Sequence, residues 1–314
     1  MTVQPPPHGD RTGVVVMAYG TPAAPGDVEA YYTHIRRGNP PAPEQLADLR
    51  RRYDAIGGIS PLAARTEAQR AGVQAALDER APGRFRAVLG QKHAAPFIED
   101  TVAELAADGI TRAVGLVLAP HYSAMSVGEY HARAAAAAAG HHPIAYTGIE
   151  SWHSEPAWLD YLAEAVTTSL AGLPAATKVL FTAHSLPERA LVDDPYPAQL
   201  ADSATAIAER AGLGQSERWA LAWQSAGRTP EPWRGPDILA VIRRLGATGE
   251  VDGVLVCAQG FVADHLEVLY DLDVEAAAVA REVGLAFSRT PSLNDDPAVL
   301  GALADRVVLT PAPR

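Results

Sequence analysis

Lys178–Glu188 reads KVLFTAHSLPE, and its interpretation decides the fold. Val179-Leu180-Phe181 is a short apolar run bounded by polar residues, the pattern of a buried strand. Pro187 keeps the extended segment from continuing as a central strand. Ala183, His184 and Ser185 therefore stand at the carboxyl end of a strand, where open α/β sheets bind their ligands. A histidine placed there either works on a ligand or caps a turn, and position alone leaves both readings open. LVLAPH at 116–121 echoes VLFTAH at 179–184, as if at matching places in two halves. The expectation is an α/β protein of two similar Rossmann-like domains, each a parallel sheet flanked by helices, with a cleft between them.

Working outward, apolar runs predict strands at Val14–Ala18, Phe85–Leu89, Ala113–Ala119, Ile144–Ile149, Lys178–Thr182, Trp219–Trp223 and Gly253–Ala258. Helical spacing predicts Asp27–Arg37, Glu44–Tyr53, Thr66–Glu79, Ile98–Asp108, Met125–Ala139 and Pro156–Leu170 in the first half. The second half is read as Pro197–Ala211, Asp237–Leu245, Asp264–Val283 and Pro297–Val308. The first domain is placed at 13–172, the second at 173–296, and a last helical segment at 297–314. Met1–Asp10 is Pro-rich without an apolar segment, so it reads as a disordered tail and not as a signal peptide.

The second informative stretch is Gly260–Glu275, GFVADHLEVLYDLDVE. Glu267, Asp271 and Glu275 are spaced i, i+4, i+8, which puts them on one stripe of a continuous helix, successive carboxylates roughly 6 Å apart along the axis. Acids at this spacing usually mark a solvated face. Here no Lys or Arg lies between 264 and 280 to offset them, and like charges at i, i+4 weaken a helix. A carboxylate row without cations suits a divalent cation or a proton path. Elsewhere Arg36, Arg37, Arg50, Arg51 and Arg52 cluster in an otherwise acidic chain. Guanidinium forks match carboxylates, although each arginine taken singly also fits helix-surface salt bridging.

Composition removes several function classes. The 314 residues carry a net charge of −11, which argues against nucleic acid as a partner. No apolar run approaches the roughly 20 residues of a membrane helix, so an integral membrane segment is not expected and the chain reads as cytoplasmic. The single cysteine, Cys257, cannot form an internal disulfide or ligate an iron–sulfur cluster, and it falls on a buried strand. Trp223 stands where a GxSxG elbow needs its first glycine, and no GxxxxGK[ST] loop is present. Gln224, Ser225 and Trp233, in a Pro- and Gly-rich stretch after a strand, read most simply as a turn joining the domains.

HSLPE at 184–188 and GFVADHLEVLYD at 260–271 resemble the ferrochelatase family. The resemblance continues in MAYGTP (17–22), YYTHIRRG (31–38), YDAIGGISPL (53–62), LAPHYS (118–123), DPYPAQL (194–200) and WQSAGRTPEPWRGP (223–236). It runs from about Gly13 to about Val308 and is closest to the soluble bacterial branch that acts on coproporphyrin III. It implies insertion of Fe2+ into that porphyrin during haem biosynthesis, with iron as a substrate and no tightly bound cofactor. It implies a central pair of His184 and Glu267 on the incoming metal, with Asp271 and Glu275 relaying metal ions or protons. Arg36, Arg52, Tyr53, Ser60 and Tyr130 would hold propionates. His93 would border the metal route, and Tyr19 would lie under the porphyrin face as an axial ligand to the product iron. His121 fits either a site or a loop-holding role. The C-terminal segment would cross back to the first domain. The chain departs from the family pattern at Asp193, where Gly or Asn is expected before Asp194-Pro195.

A neutral imidazole can accept a proton or bind a metal, and a carboxylate opposite can take a divalent ion and release it. Two ligands make a weak site beside the three or four of tight metal centres, which suits a metal that must be passed on. Three competing readings stand: a protoporphyrin IX ferrochelatase, a cobalt or nickel chelatase on the same fold, and a non-catalytic haem-binding or delivery protein. A monomer is expected, with transient contact to a downstream haem-synthesis enzyme implied by the resemblance alone.

Overall fold

The computed structural model describes residues 11–140, 143–214, 217–227 and 229–311, so the Met1–Asp10 tail lies outside it. The chain forms two four-stranded parallel sheets. The first contains β1 (Thr12–Ala18), β2 (Phe85–Gln91), β3 (Arg112–Val117) and β4 (Ala145–Ile149) in the order β2-β1-β3-β4. The second contains β5 (Thr177–His184), β6 (Trp219–Gln224), β7 (Gly253–Cys257) and β8 (Ala286–Arg289) in the order β6-β5-β7-β8. The two orders are the same, one strand outward and then two the other way, so each half has its topological switch at its first strand. The central strands are apolar along their length because both faces are covered. Val14 through Met17, Val179 through Phe181 and Val254 through Cys257 are fully buried.

The shared strand order corrects the reading of the sequence echo. LVLAPH belongs to β3 and the turn after it, whereas VLFTAH is β5. The counterpart of β5 is β1, and that of β3 is β7. The echo reflects the common composition of buried strands, not matched positions. Strand β8 is absent from the sequence reading because AFSR is short and half-buried, at the sheet edge, and has no apolar run.

The first half also contains helices α1 (Val28–Ile35), α2 (Pro43–Ala55), α3 (Leu62–Arg80), α4 (Ile98–Ala107), α5 (Glu129–Ala138) and α6 (Pro156–Leu170). The second contains α7 (Tyr196–Arg210), α8 (Ile238–Thr248), α9 (Leu266–Leu269) and α10 (Ala277–Glu282), and α11 (Pro297–Leu309) ends the chain. The helix expected over Asp264–Val283 is broken. Between α9 and α10 the backbone widens over Asp271–Ala276, where the Glu275 N–H reaches back five residues to the Tyr270 carbonyl at 3.0 Å. Such widened turns recur at functional sites, and this one carries Asp271.

One apolar core crosses from half to half. Val14, Val16 and Leu116 of the first sheet and Val179, Phe181 and Leu255 of the second join it through Trp158 and Leu162 of α6 and Leu300 and Leu303 of α11. Helix α11 lies on α3 and α6. It approaches α3 so closely that a methyl group on Gly72 would come within 2.5 Å of Leu300 Cδ1. Gln69 of α3, fully buried, donates to the carbonyls of Val262 at 3.2 Å and Asn294 at 2.7 Å, tying the first half to the second.

Candidate active site

His184 is the last residue of β5. Its Nδ1 pairs with the carbonyl of Ser185, which makes Nδ1 the donor and turns Nε2 toward Glu267 Oε1 at 3.5 Å. The Tyr196 hydroxyl donates to the His184 carbonyl at 3.2 Å, fixing the backbone under the ring. Glu267 sits in the short helix α9, entered through Gly260, which packs so closely on β5 that a Cβ there would fall 2.5 Å from Ala183 Cβ. The other oxygen of Glu267 faces His265 Nε2 at 3.6 Å. Burial lowers the affinity of His184 for a proton, but the charge and hydrogen bond of Glu267 outweigh it and raise its pKa to about 9. Glu267 is held far below the ordinary carboxylate range: burial opposes ionisation, and the His184 and His265 partners overcome it. The two groups thus rest as an imidazolium–carboxylate pair.

Asp271 follows, 7% exposed. Ser225 Oγ donates to its Oδ2 at 2.5 Å, and Arg52 NH1 stands 3.5 Å from its Oδ1. Burial first and the charge of Glu267 second push its pKa up to about 6. Glu275 is half-buried, and its charge acts on Asp271 in the same direction. Among the described residues, no three His, Cys, Asp or Glu side chains gather around a point where they could hold a metal ion.

The wall from the first half is phenolic. Tyr19 follows β1 and is 43% exposed, its ring 4.6 Å from that of His93. Tyr53 on α2 and Tyr130 on α5 are buried. Loss of solvation is the leading cause that raises all three phenols, and the negative charge of Glu267 adds to each, with Tyr53 pushed up to about 12. His93 is driven down to about 4, by burial and then by Lys92 and His34, so it is neutral. Its Nδ1 lies 3.0 Å from His34 Nδ1, so one of the two rings donates to the other.

Three propionate candidates have partners within the chain. Arg52 is not a free clamp: its Nε contacts Asp48 at 3.1 Å, its NH1 contacts Asp271, and its guanidinium lies 5.0 Å over the ring of Tyr270. Ser60 caps the start of α3 by accepting from the Leu62 N–H at 3.2 Å, which leaves its own O–H to donate elsewhere. Arg36 donates to the Asn39 carbonyl at 3.2 Å and lies over the ring of Tyr32 on α1. His121 proves to be a seam residue: its Nε2 meets Ser203 Oγ of α7 at 2.8 Å. Asp193 adopts φ +59°, the left-handed conformation for which Gly or Asn is expected, and aspartate tolerates it better than most side chains. The next residue, Asp194, accepts from the Ala124 N–H at 2.8 Å and from Ser123 Oγ at 3.2 Å across the two halves.

Several contributors escape a reading of the sequence. Tyr31, whose hydroxyl donates to the Gly20 carbonyl at 2.9 Å, joins the phenolic wall and is likewise raised by burial and then by its neighbouring tyrosines and Glu267. The buried Lys92 pairs with Glu129 at 2.6 Å beneath Tyr130. Gln224 is no domain-joining turn: it ends β6 and reaches the Glu267 carbonyl at 3.1 Å. Their only signal in the sequence is their place one or two residues past a strand or on the inward face of a helix.

The ferrochelatase family model matches residues 11–310. The coproporphyrin III ferrochelatase of Geobacillus kaustophilus is 47% identical over 305 residues, covering 94% of this chain and 95% of that protein. The coproporphyrin III ferrochelatase of Bacillus subtilis is 45% identical over 304 residues, covering 95% and 97%. Among solved structures, CbiX, described as the terminal enzyme for biosynthesis of siroheme in denitrifying bacteria, superposes with a TM-score of 0.56 at 13% identity, covering 96% of this chain and all of that one. SirB from Bacillus subtilis with Fe3+ gives 0.57 at 11% identity, covering 95% and 94%. The structural likenesses speak to the fold, which is that of two Rossmann-like halves. The family match over nearly the whole chain and the identity to the curated relatives speak to descent: this chain belongs to the ferrochelatase family.

Proposed function

We propose that the protein inserts Fe2+ into coproporphyrin III to give its iron complex. The observation that carries this reading is the His184–Glu267 pair, 3.5 Å apart at the carboxyl end of β5, in a chain about 45% identical to coproporphyrin III ferrochelatases. Insertion releases two pyrrole protons for each Fe2+ taken up. The resting pair holds one proton between imidazole and carboxylate. Fe2+ displaces it on arrival, and when the metal moves into the ring the pair is free to take back one of the pyrrole protons. Asp271, with a pKa of about 6, changes protonation close to neutrality and passes the second proton outward toward Glu275. A two-ligand site loses its metal readily, as a site for a transferred metal must.

On the opposite wall, Tyr19, Tyr31, Tyr53 and Tyr130 stay protonated at neutral pH and present hydroxyls and rings to the macrocycle. Four propionates demand cationic and hydroxyl partners, for which Arg36, Arg52, Tyr53, Ser60 and Tyr130 are assigned. His93, neutral, borders the iron route, and Tyr19 is assigned as axial ligand to the product iron. Among the described residues no helix is long and apolar enough to cross a membrane. The reading places the enzyme in the cytoplasm as a monomer, which sedimentation tests. The decisive assay is anaerobic Fe2+ insertion followed by absorbance, with coproporphyrin III and protoporphyrin IX side by side. Strong preference for coproporphyrin III is expected. Preference for protoporphyrin IX overturns the substrate assignment, and binding of haem without insertion into either porphyrin overturns the enzyme reading.

A further inference from the structure

We propose that Gln224 and Ser225, the end of β6 and the residue after it, are positioning residues that set where the two carboxylates of the metal route stand. This rests on the roles given above to Glu267 and Asp271.

Gln224 is 1% exposed and spans three pieces of the site. Its Oε1 accepts from Thr182 Oγ1 on β5 at 2.8 Å, and its amide nitrogen donates to the Glu267 carbonyl at 3.1 Å. Its own backbone carbonyl accepts from the Ser185 N–H at 2.8 Å. The strand that ends in His184 and the helix that carries Glu267 are therefore bound to one side chain, and the loop beyond the strand to the backbone of the same residue. A carboxamide satisfies a hydroxyl on one side and a carbonyl on the other. Glutamate would set a carboxylate against the Glu267 carbonyl, and leucine would leave both buried groups unpaired.

Ser225 has φ +59°, where an L side chain is strained and glycine is not. A residue serving only the turn would be glycine. The serine instead supplies the hydroxyl that lies 2.5 Å from Asp271 Oδ2. The remaining oxygen, Oδ1, is buried without a hydrogen-bond partner and faces only the more distant Arg52. The hydroxyl thus sets which way the carboxylate turns.

This arrangement separates positioning from stability. Melting temperature and the KM values for Fe2+ and for porphyrin are measured separately in the wild type, S225G, S225A, S225T and D271N. S225G is expected to melt above S225A, since glycine relieves the left-handed backbone that alanine keeps, while its KM for Fe2+ rises about tenfold, the loss of one charge-assisted hydrogen bond, with porphyrin KM unchanged. S225A shows the same rise without the thermal gain. S225T, which keeps the hydroxyl at greater backbone strain, melts lower and keeps a near-parental KM for Fe2+. A KM for Fe2+ that follows melting temperature through the series, or stays parental in S225G and S225A beside an impaired D271N, overturns the positioning role alone. A D271N variant with unimpaired Fe2+ use overturns both this role and the reading of Asp271. Q224L and Q224E extend the test, since both should raise the KM for Fe2+ with porphyrin binding retained.

Discussion

The ends of β1 and β5 occupy the same place in two identical strand orders, yet they carry opposite chemistry. Past β1 stands Tyr19, one of a group of phenols whose pKa values are raised, so that wall is neutral. At the end of β5 stands His184, charged and paired with Glu267. The fold accounts for where the two sites are, since each lies at the topological switch of its sheet. It does not account for what they do, which follows from three or four side chains on each side. A flat macrocycle with acidic arms is suited to the neutral wall, and a dication to the charged one.

The sharpest way to break this division is to remove the charge from one side. E267Q keeps the shape of the side chain and abolishes the ion pair, so insertion of Fe2+ is expected to fall by about 100-fold or more. Porphyrin binding, followed by fluorescence quenching without metal, should stay within about twofold because the phenolic wall is untouched. Equal loss of both would show that the two walls do not have separate tasks.

The reciprocal change is smaller. Y19F removes a hydroxyl but retains the ring against His93. Insertion should slow by no more than about tenfold, the scale of one hydrogen bond, while the absorption spectrum of the iron product bound to the enzyme shifts with loss of the axial oxygen. A spectrum identical to that of the wild type would remove Tyr19 from the metal and leave it a packing role.

Seven of the eight strands were readable because buried parallel strands are continuous apolar runs, and VVVM and VLF admit little else, whereas the edge strand β8 has no such run. His184 and Tyr19 stood out for the same reason, as polar residues where such a run stops. The i→i−5 turn at Asp271–Ala276 has no residue signature, and the expected unbroken stripe of Glu267, Asp271 and Glu275 missed it. The partners of Arg52, Asp48 and Asp271, come beside it only in the folded chain, since a sequence shows its charge but not its neighbours. Gln224 and Tyr31 act through distances that only the folded chain creates.

The second pair of equivalent strands extends the comparison. The turn after β3 carries His121 and that after β7 carries Gln259, and both reach Ser203 of α7, at 2.8 and 3.0 Å. The glutamine does not titrate, but the histidine does. Burial, then the charge of neighbouring His153, drives His121 down to about 3, against about 6.5 in an unfolded chain. Between these values the unfolded state binds the extra proton, so stability is complete above pH 6.5 and is lost as pH falls toward 3. Over the step from pH 6.5 to 5 the loss from this group is about 2 kcal/mol. H121N replaces the imidazole with a group that does not titrate. Urea unfolding at several pH values should give a lower plateau for the variant and a flatter acid slope. Parallel curves would assign the acid sensitivity to other groups.

The smallest effect concerns the two loops that follow β1 and β5. The first turns at Gly20, with φ +91°, where an added Cβ would lie 2.9 Å from both the Ala94 nitrogen and its Cβ. Glycine is required there by conformation and by space together. The second turns at the exposed Asp193, with φ +59°, where conformation alone favours glycine. D193G should therefore relieve the left-handed backbone while adding freedom to the unfolded chain, two terms that nearly cancel. The expected net change is about 0.5 kcal/mol toward greater stability, about 1–2 °C in melting temperature for a chain of this size, with insertion unchanged. G20A, the matching change after β1, should cost several times as much. A drop of several degrees in D193G would mean that the carboxylate of Asp193 holds its loop, and that the two loops are built alike after all.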